Sequence, residues 1–213
     1  MSARTLLLGD WNRVIRDPID LLRLLFLVAA VIFLVQGDLG GAARTFATFG
    51  VLLLARWANL PRPLDLAVVF AMALQTLGYV LDFFGKFAFW DETLHSFIPS
   101  VVAPLLYITL VRLDVLADLG AEGRGEQRHR YVGILLTTLA LGVALGAFYE
   151  VWEYANVRYL GTSYQIGYAD TIADMTLNTI GSLVGGLLLL VWAEYGWGTV
   201  RRVSGRKARQ ASA

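Results

Sequence analysis

Three short stretches of this sequence concentrate groups that can do chemistry: WDETLH at 90–95, YEVWE at 149–153 and DTIADMTLN at 170–178. Their spacings are those of side chains on one helix face. Asp91 and His95 are four residues apart, Glu92 and His95 three, Glu150 and Glu153 three; Asp170, Asp174 and Asn178 form a row at successive fours. If they meet, the ligand set is mostly oxygen with one imidazole, which suits Mg, Mn or Ca; Zn or Fe is the lesser choice and would depend on His95. Carboxylates crowded in a low-dielectric site cannot all stay ionised, so protons or a divalent cation must relieve the repulsion. A di-iron oxidase offers two Glu-x-x-His units, whereas Glu92 to His95 is the single one within these three stretches. The chain has no cysteine, which removes disulfides, thiolate metal sites and Cys nucleophiles together.

The elements that must position these groups are membrane helices. Of 213 residues, 57% are hydrophobic and 16% charged, and the mean hydropathy is +0.59, far from the balance of a soluble domain. Apolar runs near 19–37, 42–59, 64–84, 92–111, 131–153 and 174–195 each approach the roughly 20 residues that cross a bilayer. The second is the weakest, because Arg56 falls inside it, though an Arg near a helix end can snorkel to the headgroups. A signal peptide is a rival reading of the first run, since GGAA at 40–43 supplies small residues; the long charged stretch before it argues for a span. The expectation is an all-α, polytopic bundle of six transmembrane helices.

Lys and Arg set the orientation. With a cytoplasmic amino terminus, 15 of the 18 fall on inner segments, and only Arg44, Lys86 and Arg158 lie outside. Both termini are therefore expected in the cytoplasm, and all three acidic stretches at the outer boundary. The chain reads as one integral-membrane domain, 1–213, with a short N-terminal segment (1–18), a cytoplasmic loop (112–130), an outer loop (155–173) and a basic tail (196–213). His129, between two arginines, reads as solvated. The outer loop, rich in Tyr, Gly, Thr and Ser, reads as a lid or substrate rim, or as ordinary interfacial anchors. The pairs Gly142/Gly146, Gly181/Gly185 and Ser182/Gly186 predict close helix approach, and Pro99 and Pro104 predict a kink in the fourth span. Net charge is +1, so no basic field suggests nucleic acid.

The run FYEVWEY followed by Asp170 and Asp174-Met175, with WDETLH upstream, resembles the bacterial inner-membrane proteins typified by YjdF. On that family's pattern Asp91, His95, Glu150, Glu153, Asp170 and Asp174 all match. The stretch from Asp174 through Asn178 and Gly181 to Gly185 is also similar to VanZ-like proteins, except that Glu153 stands where those have Gln and Glu92 where they often have Lys. The resemblance covers about residues 75–190 and implies a multi-pass protein of the bacterial cytoplasmic membrane with a role in the cell envelope.

The leading functional expectation is an outer-leaflet, metal-dependent hydrolase or transferase acting on a lipid or lipid-linked envelope substrate. Asp91, His95, Glu150, Glu153, Asp170 and Asp174 are the candidate metal ligands. Glu153 or Asp170, with His95, would do the proton transfers; Arg158, Tyr164 and Asn178 would contact the substrate, Arg158 holding an anionic headgroup. One alternative is a cation or proton transporter with the acids as its entry. Another is a structural subunit in which the acids face headgroups, paired with Lys86 and Arg158, and Asn178 stitches helices together.

Overall fold

The computed structural model describes residues 15–116, 127–160 and 167–195, and among these it is all helix and turn. Helix α1 spans Pro18–Val35. Asp17 starts it by accepting the Asp20 amide, and Pro18 sits at the first position, where its missing N–H costs nothing. Helix α2 spans Leu39–Ala58, capped by Asp38 on the Gly41 amide at 2.8 Å and closed by Asn59 in the left-handed conformation. Next come α3, Arg62–Val80, and the single turn α4, Phe83–Lys86. Helix α5, Trp90–Arg112, runs unbroken through Pro99 and Pro104. Helix α6, Gln127–Ala155, continues into a π-helical turn, Asn156–Leu160, and α7 spans Tyr168–Tyr195.

Five of these helices are long and apolar enough to cross a membrane: Pro18–Val35, Arg62–Val80, Trp90–Arg112, His129–Tyr159 and Tyr168–Ala193. Helix α2 has the length, with 20 residues, but Arg44, Arg56 and its glycines and threonines dilute its apolarity. The protein is an integral, multi-pass membrane protein, and its surface is inverted accordingly. Leu25, Val28, Ile32 and Leu34 of α1, and Ile180, Val184 and Leu187 of α7, are exposed because lipid is their solvent. Helix α5 is the centre: 72% of its span is buried within the protein, against 22–39% for the other four. Around it Val68, Met72, Val102, Leu105, Ile108 and Leu189 form an apolar middle layer.

Helix α7 packs against both α5 and α6 through small residues. A Cβ at Gly185 would strike the Ser100 carbonyl, the acceptor that Pro104 leaves without its helical donor. One turn earlier, Gly181 lies on the Ser96 carbonyl in the same way, and Gly146 of α6 leaves room for the Asn178 side chain. The small-residue spacing is therefore a packing device.

One end of the bundle is a buried charge network absent from the sequence expectations. Arg23, 2% exposed, binds Asp20 at 2.6 Å and Asp65, and donates from Nε to the Leu52 carbonyl at 3.2 Å. Arg56 reaches Asp20 at 3.1 Å, so it pairs within the protein instead of snorkelling. Arg62 reaches Asp17 at 3.1 Å, and Arg112 closes the Ala58 carbonyl at 3.1 Å.

Candidate metal centre

The opposite end holds the acids. Along α5, His95 lies 17 residues before Arg112, about 25 Å at 1.5 Å per residue. The first turns of α5 carry Asp91 and His95; the last turns of α6 carry Tyr149, Glu150 and Glu153; the first turns of α7 carry Asp170, Asp174 and Asn178. Helix α7 starts at Tyr168, six residues before the expected span, and this puts Asp170 on the same helix as Asp174. The glycine contacts draw α7 against both neighbours, so three distant segments converge.

His95 is the hub. It is 6% exposed, with Nε2 3.6 Å from Asp91 Oδ1 and 3.9 Å from Asp174 Oδ2. Two groups could hold a metal ion: Asp91, His95 and Asp174, and His95, Glu150 and Glu153, each with its ligand atoms within 4.8 Å of one another. Ligands on opposite sides of an ion with bonds of about 2.0–2.6 Å lie about 4–5 Å apart, so the spacing fits. Asp174 is 2% exposed, yet its Oδ2 has no hydrogen-bond partner; Glu150 Oε1 and Asn178 Nδ2 are likewise buried and without one. Buried polar atoms are seldom left so.

Asp170 is half-buried, within electrostatic reach of Asp91, Glu150 and Asp174 but outside both ligand groups. Glu92 and Asp82 are exposed. Arg158 is exposed, its guanidinium 5.9 Å from the Tyr159 ring, and Lys86 donates to the Leu81 carbonyl at 2.6 Å. Among the described residues neither cation pairs with the cluster. Tyr164 lies outside the described residues, and His129 is exposed.

Sequence reasoning missed three residues here. The Tyr149 ring stands edge-on to His95 at 5.5 Å, and Tyr149 is in hydrogen-bonding contact with Glu153 and Tyr79. Its four-residue spacing from Glu153 was a usable signal. Tyr79 and Arg44 carried none, since only the packing of α2 and α3 brings them to a cavity of about 790 Å³ whose wall includes Asp91, His95, Tyr149 and Asn178.

Buried acids and a histidine, gathered by lipid-facing helices, define a multi-pass membrane protein with a buried cluster of acids around one histidine. Residues 19–195 match the family described as "Predicted membrane protein (DUF2238)", and the chain belongs to that family. A relative from Thermotoga maritima, described as "Uncharacterized protein", is 26% identical over 106 residues, 49% of this chain and 50% of the relative. The chain thus spans about half the length of the curated relative it matches. No solved structure matches it.

Proposed function

We propose that the chain is a membrane-embedded enzyme with a divalent-metal site, a hydrolase or transferase acting on a lipid or lipid-linked envelope substrate. The observation that carries this reading is the bare carboxylate oxygen of Asp174, almost fully buried, facing His95 and Asp91 with no donor to satisfy it. Asp91, His95, Glu150 and Asp174 are the ligands, and the oxygen-rich set favours Mg, Mn or Ca over Zn or Fe. When bound, such an ion polarises a substrate oxygen and lowers the pKa of a coordinated water. Glu153, steadied by Tyr149, or Asp170 would serve as the proton acceptor beside the site. Asn178 offers its free amide to the substrate. Arg158 and Tyr164 belong to the rim.

The six-span arrangement, with α2 as the sixth helix and both termini cytoplasmic, follows from the distribution of Lys and Arg. It sets the centre at the outer boundary of a bacterial cytoplasmic membrane, and the YjdF-like and VanZ-like patterns agree with an envelope role. A transporter would need polar groups beyond the site. Beyond Asn178, the Ser182 and Thr138 hydroxyls are spent on their own helix carbonyls at 2.6 and 2.7 Å, and the apolar layer follows.

Elemental analysis of detergent-purified protein tests the proposal, wild type beside His95→Ala and Asp174→Ala. Near-stoichiometric metal in the wild type, held at least about tenfold more weakly by both variants, is the expected result. A wild type free of metal after supplementation with each candidate ion overturns it.

A further inference from the structure

The cavity of about 790 Å³ is larger than a metal centre requires and falls within the range of sites for whole small molecules. Its walls are of two kinds. One part is apolar, lined by Val51, Met72, Ile98, Val102 and Leu145. Thr45 and Thr48 add little polarity, because their hydroxyls bond to the Gly41 and Arg44 carbonyls of their own helix at 2.8 and 3.0 Å.

The other part carries an exposed arginine and a buried amide donor that lacks an acceptor. Arg44 lines the cavity with its guanidinium 4.9 Å over the Tyr79 ring and, among the described residues, forms no ion pair. Asp38 is on the same wall, but its carboxylate caps α2. Asn178 lines the same cavity, is 3% exposed, and its Nδ2 has no partner. Tyr79 and Tyr149 line it as well, the latter against His95. A guanidinium and an amide donor facing one space call for an acceptor-rich anion, and an apolar chamber beside them calls for a hydrocarbon chain.

We infer that this cavity seats one phospholipid of net negative charge, its anionic headgroup held by Arg44 and Asn178 beside the acidic cluster and one acyl chain lying among Val51, Met72, Ile98, Val102 and Leu145. The inference rests on the lipid-substrate reading above and names its class. It gives the headgroup contact to Arg44, a residue of the cavity wall.

The test is retention of phosphatidylglycerol against phosphatidylcholine with identical chains, measured by mass spectrometry on delipidated, re-incubated protein. Wild type and Arg44→Lys should hold phosphatidylglycerol about tenfold better. Arg44→Gln should lose that preference, and Val51→Trp, which fills the chain chamber, should weaken both lipids. Equal retention by the wild type, a preference surviving Arg44→Gln, or full retention by a Val51→Trp protein with wild-type melting would each overturn the inference. Metal is measured in the same samples. A metal-free wild type that still prefers phosphatidylglycerol defeats the metal reading and leaves the lipid site standing; a metal-loaded wild type with no preference does the reverse.

Discussion

The two ends of the bundle bury charge in opposite ways. At the arginine end, Arg16, Arg23, Arg56 and Arg62 meet Asp17, Asp20 and Asp65, and leftover donors close the carbonyls of Leu52, Ala58 and Arg56. At the acidic end, Asp91, Glu150, Glu153 and Asp174 surround one imidazole with Asp170 nearby, and buried oxygens of Asp174 and Glu150 have no donor. Burying a charge is tolerable once it is paired and hydrogen-bonded. At the first end each of the three carboxylates meets at least one arginine of its own chain, although the Nε atoms of Arg16 and Arg62 make no hydrogen bond, so this end reads as scaffold. The second end falls short of that condition, and its deficit of positive charge is what the proposed metal ion would relieve. Burial alone would not have told them apart; balance does.

The largest effect should come from unbalancing the balanced end. Asp65→Ala leaves the Arg23 guanidinium with Asp20 as its one carboxylate partner and should cost about 3 kcal/mol in thermal or denaturant unfolding, whereas the double change Arg23→Met with Asp65→Leu should recover part of it. If the single change is harmless, the network is no scaffold.

A smaller loss is expected where helices touch. Gly146→Ala places a methyl 2.5 Å from the Asn178 amide nitrogen, and the strain should cost about 1–3 kcal/mol while also weakening metal retention. Unchanged metal content would mean that Asn178 does not need its present position.

The smallest change in stability is the sharpest contrast. Asp174→Asn removes one of several like charges, so with a chelator present it should melt no lower than the wild type, the opposite of Asp65→Ala. A melting temperature well below the wild type would show that Asp174 is paired as Asp65 is, and the distinction between the ends would fall.

The acidic end was largely legible in the sequence because its information is local. Spacings of three and four in WDETLH, YEVWE and DTIADMTLN assign faces within single helices, and the small-residue rows say those helices pack closely. The arginine end was not. Arg23 and Asp65 are 42 residues apart, Arg62 and Asp17 45; periodicity assigns each a face but never says which faces meet. Those arginines were therefore read only as markers of sidedness. The same limit hid the cavity, where Arg44 and Tyr79 matter through the packing of α2 and α3. Helix ends drifted for a different reason: hydropathy registers the apolar interior, while the polar first turns of α7, and Gln127 to Arg130 of α6, are helical without being apolar.

The apolar layer around Val68, Leu105, Ile108 and Leu189 has one more consequence. In a bilayer that sustains a voltage, which charges about 2.3 kcal/mol per elementary charge per 100 mV for passage, such a layer would act as an electrical seal, since any wet file of side chains between the two ends would let protons drain down that gradient. About 25 Å of helix α5 separates Arg112 from His95, with that apolar layer between the acids and the arginines.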